Sequence, residues 1–360
     1  MDDRLLRRPS RPSPPGVLGG SVGDMTTIAP AGLATYEAAA ETSDGRVEPL
    51  LDALAAIDPH AVPVPGDGRT RERFAALSRV AAMDVTAARV LEPHLDALAI
   101  LAEAGRPAPP TGTTWGVFAA EAPGTSLAAE RTVDGWTLTG VKPWCSLGDR
   151  LTHALVTAHD GDDRRMFAVD LRSPGVTAEP AVWVARGLAE VTSGPLRFDG
   201  VAAEPVGDPG WYLERPGFRW GGIGVAACWW GGCVPFFRAL ADRAAASDDP
   251  LRAARTGELY RALEAARLHL ARAAEAIDAG VGGDAAAVLS HTVRGAAADA
   301  VALTLAAVRD LLGPAALAFD EAQARRAADL ELYAAQYHRG RDDVSLANRL
   351  PGLDGESAWW

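Results

Sequence analysis

The sequence predicts an α+β fold in three successive parts. These are an N-terminal α-helical domain over residues 31–110, a central antiparallel β domain over 111–210 and a C-terminal four-helix bundle over 211–348. Three observations carry this reading. Apolar residues recur at helical spacing up to about Gly105, alternate with period two from Trp115 to Val206, and return to helical spacing after Gly217.

In the first part Phe74, Leu77, Val80 and Ala81, then Leu91, Leu95, Leu98 and Leu101, mark one face of successive helices. Pro107, Pro109 and Pro110 end it. In the second part Val133-Asp134-Gly135-Trp136 reads as a hairpin turn, with Asp-Gly supplying positive φ. Trp136–Thr139, Ala154–Ala158, Met166–Asp170 and Leu196–Asp199 read as strands of a small barrel or sandwich. In the third part the stripes over Val234–Ala246, Pro250–Ala279, Asp284–Leu312 and Ala322–Ala347 are separated by Gly280, Gly282 and Gly283, or by Gly313-Pro314. The short connections predict antiparallel neighbours. Residues 1–30 are rich in Pro, Ser and Arg and are expected to be disordered, with Met25 an alternative start; residues 349–360 are expected to form a loose tail.

The chain has 360 residues, a net charge of −12 and no basic stripe, which argues against a nucleic-acid partner. Its three cysteines do not make a disulfide framework and fit a cytoplasmic protein. The apolar run Ile223–Cys233 is shorter than the roughly 20 residues of a membrane span. The seven histidines form no zinc motif, and neither a phosphate-binding loop nor a nucleophile elbow is present. Gly222-Ile-Gly-Val-Ala-Ala227 matches a loose dinucleotide fingerprint, but the residues before it contain Pro216 and make no central strand. Glycines that let a helix pack closely are the alternative.

Trp144 and Ser146 lie two apart on an extended segment, so both side chains point the same way. An indole and a hydroxyl so placed can face a flat heteroaromatic ring; a core Trp beside a solvated Ser is the other reading.

Several segments, in order, resemble the acyl-CoA dehydrogenase family over roughly Arg69 to Asn348. Phe118-Ala-Ala-Glu-Ala-Pro-Gly-Thr-Ser126 is similar to the family's Glu-Pro-x-x-Gly-Ser signature. Val133 to Gly148 is similar to its Asp-Gly…Gly-x-Lys-x-Trp…Gly segment. Gly313-Pro314-Ala315 and Arg325-Arg326-Ala-Ala-Asp329 stand where a glycine turn and an Arg-Asp run are found. The resemblance implies FAD, with Ala119 and Ala120 facing the flavin pyrimidine, Trp144 stacked on the ring, Ser146 at its N5 edge and Ser126 toward an acyl or pantetheine group. It also implies a small-molecule substrate, such as an acyl thioester oxidised at its α,β carbons, and a homodimer or homotetramer. Arg219 and the Arg339/Arg341 pair are candidates for CoA phosphates.

The departures are informative. Ala120 replaces the usual hydroxyl residue, and an Arg-x-x-Phe-Gly element is not recognisable between Ser247 and Leu259, where only Arg252 or Arg255 supplies charge. The family's catalytic glutamate falls on Tyr337, followed by His338, and its alternative position falls on Phe218, so neither place holds a carboxylate. His338 is a competent acid–base group for dehydrogenation or for the chemistry of monooxygenase relatives; it also reads as a surface histidine bonding Asp342. His94 either approaches the flavin cavity or packs at a helix edge. A catalytically degenerate, non-enzymatic member is the remaining alternative.

Overall fold

The computed structural model describes residues 31–180 and 183–352; the expected disordered start and most of the expected tail lie outside them. Four helices come first: α1 (Ala34–Thr42), α2 (Glu48–Ala55), α3 (Thr70–Met83) and α4 (Val85–Glu103). All eight apolar positions that define their helical face in the sequence are buried. Between α3 and α4 the chain turns at Asp84, whose carboxylate accepts the Ala87 N–H at 2.9 Å and caps α4.

Seven strands follow: β1 (Trp115–Phe118), β2 (Leu127–Thr132), β3 (Gly135–Ser146), β4 (His153–Asp160), β5 (Asp163–Asp170), β6 (Val176–Ala178) and β7 (Ser193–Val206). The pairings β4–β2–β3–β7–β5 return to β4, so the sheet closes into a small barrel. It is not wholly antiparallel, as the sequence had suggested. β1 and β2 both meet β4 in parallel, because β1 arrives from α4 through a long proline-containing connection rather than a hairpin. The β2–β3 turn consists of Val133 and Asp134, and its positive φ falls on Gly135, not on the aspartate. At Gly140 a side chain would lie 2.2 Å from the Ser126 carbonyl, so only glycine lets β3 pass β2 there.

The remaining helices are α5 (Trp211–Glu214), α6 (Pro216–Ala245), α7 (Pro250–Asp278), α8 (Gly283–Ala307), α9 (Gly313–Ala318), α10 (Glu321–Ala334) and α11 (Arg339–Ala347). α6 starts well before the predicted Val234, and Gly222-Ile-Gly-Val-Ala-Ala227 is interior helix rather than a strand–helix turn. Gly231 explains the small residues: a Cβ there would sit 2.1 Å from the Ser78 carbonyl, so α6 crosses α3 backbone against backbone. Trp229 and Trp230 fill the opposite side, with the Trp230 indole donating to the Leu263 carbonyl at 2.8 Å. The apolar segment around these tryptophans is therefore core. Pro216–Ala245 and Gly283–Ala318 are each long and apolar enough to cross a membrane, but most of the apolar window in the first is buried inside the molecule.

The last predicted helix is two, α10 and α11, broken at 335–338. Its Arg-Asp run is a clasp. Arg326 donates to the Ala81 and Met83 carbonyls at the end of α3, while Asp329 accepts Leu188 N–H at 2.5 Å and the Thr86 hydroxyl at 3.1 Å. One helix thereby ties the N-terminal helices to the barrel's loop.

Candidate functional site

Helix α4 lies against β1, and His94 holds the two together. Its Nδ1 accepts the Trp115 N–H at 3.2 Å, and burial pulls the imidazole down to about 4, so it stays a neutral acceptor. Beside this joint is a cavity of about 280 Å³. Gly116 to Ala120 form one wall, and Arg89, Glu92 and Asp96 of α4 form the other. Ser146 and Leu147 at the end of β3 and Val225 of α6 complete it. Pro93 sits in the same wall and cannot donate to the Arg89 carbonyl one turn back. The Ser146 hydroxyl is 2.8 Å from the Ser193 hydroxyl and accepts Arg89 Nη2 at 3.0 Å.

A second chamber, of about 340 Å³, continues from the first, sharing Glu92, Asp96, Tyr212, Val225 and Gln336. The two carboxyl groups at this junction stand one turn apart on α4. Both are half-buried where they border the cavities, and burial pushes Glu92 up to about 7 and raises Asp96 as well. Arg73 opposes both shifts, with Arg89 acting on Glu92 and Arg215 on Asp96. The Tyr333 hydroxyl donates to Glu92 Oε2 at 3.4 Å. Gly221 makes room for Asp96: a Cβ there would lie 2.9 Å from its Oδ1. A carboxyl with a pKa near neutrality, facing a cavity, can exchange protons with a bound molecule at working pH. Among the described residues no group of three His, Cys, Asp or Glu is placed to hold a metal ion.

No protein-family model matches the chain, and no curated protein matches it either. Solved structures do. Butyryl-CoA dehydrogenase from Megasphaera elsdenii superposes with a TM-score of 0.73 at 17% identity, covering 92% of this chain and 98% of that one. TdsC from Paenibacillus sp. A11-2, solved with FMN and indole, gives 0.70 at 17%, covering 90% and 96%. Methanesulfinate monooxygenase MsuC from Pseudomonas fluorescens gives 0.70 at 18%, covering 93% and 98%. The chain has the acyl-CoA dehydrogenase fold.

On this fold the residues expected from the sequence separate into groups. Ala119, Ala120 and Ser146 line the first chamber. Arg219, His338, Arg341 and Phe218 line the second. Trp144 is outside both linings: the residue is 58% exposed, and its backbone is left-handed (φ 59°) at the irregularity where β3 shifts register on β7. Ser126 is exposed and lines neither chamber; its carbonyl accepts the Val141 N–H. Tyr337 also lines neither. Its hydroxyl donates to Asp343 at 3.0 Å, and burial together with that carboxylate pushes it up to about 12. Arg339 is paired with Asp299. Lys142, from the best-matching sequence segment, is buried in the barrel, where its ammonium donates to the carbonyl and hydroxyl of Thr157 at 2.8 and 2.9 Å. His338 is exposed, and its carbonyl, not its ring, accepts the Asp342 N–H.

Sequence reasoning missed Glu92, Asp96, Arg89 and Arg294. The available signal was Glu92-Pro-His-Leu-Asp96, two acids one turn apart in a helix otherwise rich in Leu and Ala.

Proposed function

We propose that this protein is a flavin-dependent oxidoreductase in which Glu92 is the acid–base group. The observation that carries this is the position of the Glu92 carboxyl, at the junction of two chambers and shifted up to about 7. The first chamber suits the ring system that FMN and FAD share. Val117, Phe118, Leu147, Leu151 and Val191 offer apolar surface for a flat ring. Ala119 and Ala120 offer backbone groups and no bulk at its rim, and Ser146 offers a hydroxyl. FMN stands in the TdsC structure, and either nucleotide is a candidate here.

Bound flavin would supply the two-electron acceptor. The chain's own residues supply the rest. Glu92, as carboxylate, takes the proton from a carbon that a neighbouring carbonyl makes acidic, and Tyr333 donates a hydrogen bond to the charged form. Arg89 and Arg73 hold that charge where burial alone would suppress it. His94 fixes the helix that carries Glu92 against β1. The reaction is thus dehydrogenation of a small acyl compound, a thioester among them.

The test is anaerobic. Flavin-loaded protein mixed with a panel of acyl thioesters and short acyl acids should lose its visible absorbance with at least one of them, and Glu92→Gln should not. Bleaching that is equally fast in Glu92→Gln would remove the assignment.

Oxygenation is the second reading. It is favoured by His338 at the second chamber and by the monooxygenases among proteins of this fold. Label from ¹⁸O₂ in the product, lost in His338→Ala, would select it.

A further inference from the structure

The second chamber is unusual in its charge. Arg215, Arg219, Arg294 and Arg341 border it, with His291 and His338, against Glu92, Asp96 and Asp342. Among the described residues only Arg215 of these arginines is committed to a carboxylate, pairing with Glu103 at 2.5 Å. Arg294 is held by neutral partners, donating to the Gly222 carbonyl at 3.0 Å with its guanidinium 5.0 Å above the Trp229 ring. Arg219 stacks 5.4 Å over Phe218, and Asp284, which draws on it from outside, is paired with Arg349 at 3.3 Å. Among the described residues neither Arg219, Arg294 nor Arg341 makes an ion pair.

Among the described residues the chamber's acids, Glu92, Asp96 and Asp342, form no ion pair with Arg219, Arg294 or Arg341; burial raises Glu92 and Asp96. Burial also lowers Arg219 and Arg294, against the pull of Asp284 on the first and of Asp342 on the second. His291 is buried; its Nε2 is 3.0 Å from the Ser345 hydroxyl and its Nδ1 has no partner. Gly221 and Gly222 keep this wall bare of side chains, and Ser290 adds a hydroxyl.

We propose that this chamber binds an acidic group of the substrate, a carboxylate, sulfonate or phosphate, between Arg219 and Arg294. The inference rests on the flavin reading above and names its substrate class: a small organic acid whose reactive carbon reaches past Glu92 into the first chamber. A space of about 340 Å³ takes an acidic group on a short carbon chain. The guanidinium forks give such a group paired, charge-assisted hydrogen bonds.

The test is calorimetric titration of the full chain with propane-1-sulfonate at constant ionic strength, with propanamide as the neutral control. Saturable one-to-one binding of the sulfonate and none of the amide is expected. Arg219→Gln should weaken it at least tenfold, Arg219→Lys less, and Arg339→Gln, outside the chamber, not at all. Arg294→Gln should match Arg219→Gln if it folds, which circular dichroism checks. Absence of saturable binding, or equal affinity in Arg219→Gln, would overturn the proposal. So would an Arg219→Gln protein that loses flavin affinity as steeply as sulfonate affinity, because the cation would then serve the cofactor's phosphate. Flavin binding is read separately from visible absorption. A chain that takes flavin but ignores the sulfonate contradicts this inference alone, and one that binds the sulfonate but no flavin contradicts the flavin reading alone.

Discussion

Helix α4 and the α10–α11 break both face the second chamber, but they offer it different chemistry. The break carries Gln336, Tyr337 and His338 on exposed or half-buried chain, and Tyr337 is turned away to Asp343. α4 carries Glu92 and Asp96 on a rigid helix, covered by β1 on one side and α6 on the other. The sequence pattern places a catalytic group at the break, whereas burial tunes the carboxyl on α4. His94, two residues from Glu92, shows how sharply a helix divides such roles. The same burial lowers the imidazole and raises the carboxyl, yet one faces a backbone N–H and the other a cavity.

The largest expected effect breaks the comparison at Glu92. Glu92→Gln should lower kcat by about 100-fold or more, the range for loss of a general base, with flavin affinity almost unchanged. A loss under about threefold would move the acid–base role off α4. The pH profile sharpens the same point. If the carboxylate is the active form, kcat/KM should rise with pH and level off above about 7. Stability should run the other way. The folded group holds its proton above the ordinary value of 4.5, so the folded state binds more protons between that value and about 7. Stability therefore falls as pH rises through this window, and Glu92→Gln should flatten the fall in Tm.

Next comes the clasp that sets the break against the rest of the molecule. Asp329→Ala removes the acceptor of the Leu188 N–H and the Thr86 hydroxyl and should cost about 3 kcal/mol in denaturant unfolding. His94→Ala leaves the Trp115 N–H without its acceptor and should cost about 2 kcal/mol. Its kcat should drop far less than that of Glu92→Gln; an equal drop would make the imidazole part of the chemistry. The smallest effect is expected at the break itself. His338→Ala should change kcat less than about threefold if dehydrogenation is the reaction, and far more if oxygenation is.

Much of the framework was legible before any coordinates. Regular apolar spacing from Phe74 to Leu101 gives α3 and α4, and the fates of Ala119, Ala120 and Ser146 follow from a segment order that the chain shares with a known fold. The short strands β1, β2 and β6 were not legible, because Gly116 and the alanines of β2 carry little apolar signal. The parallel pairing of β1 was hidden for another reason: it depends on where a long connection ends. Glu92 and Asp96 stayed hidden because a carboxylate on a helix reads as a solvated face until another element covers it. The covering comes from β1 and α6, distant in sequence. Arg294 is the same case, half-buried over a tryptophan 65 positions away in sequence.

The most direct measurement is a titration of the purified full chain with FMN and with FAD, followed by visible absorption. The account predicts that at least one of them binds one-to-one with a shifted, structured flavin band, that Ser146→Ala weakens this, and that Glu92→Gln does not. A chain that leaves the spectra of both flavins unchanged would contradict it.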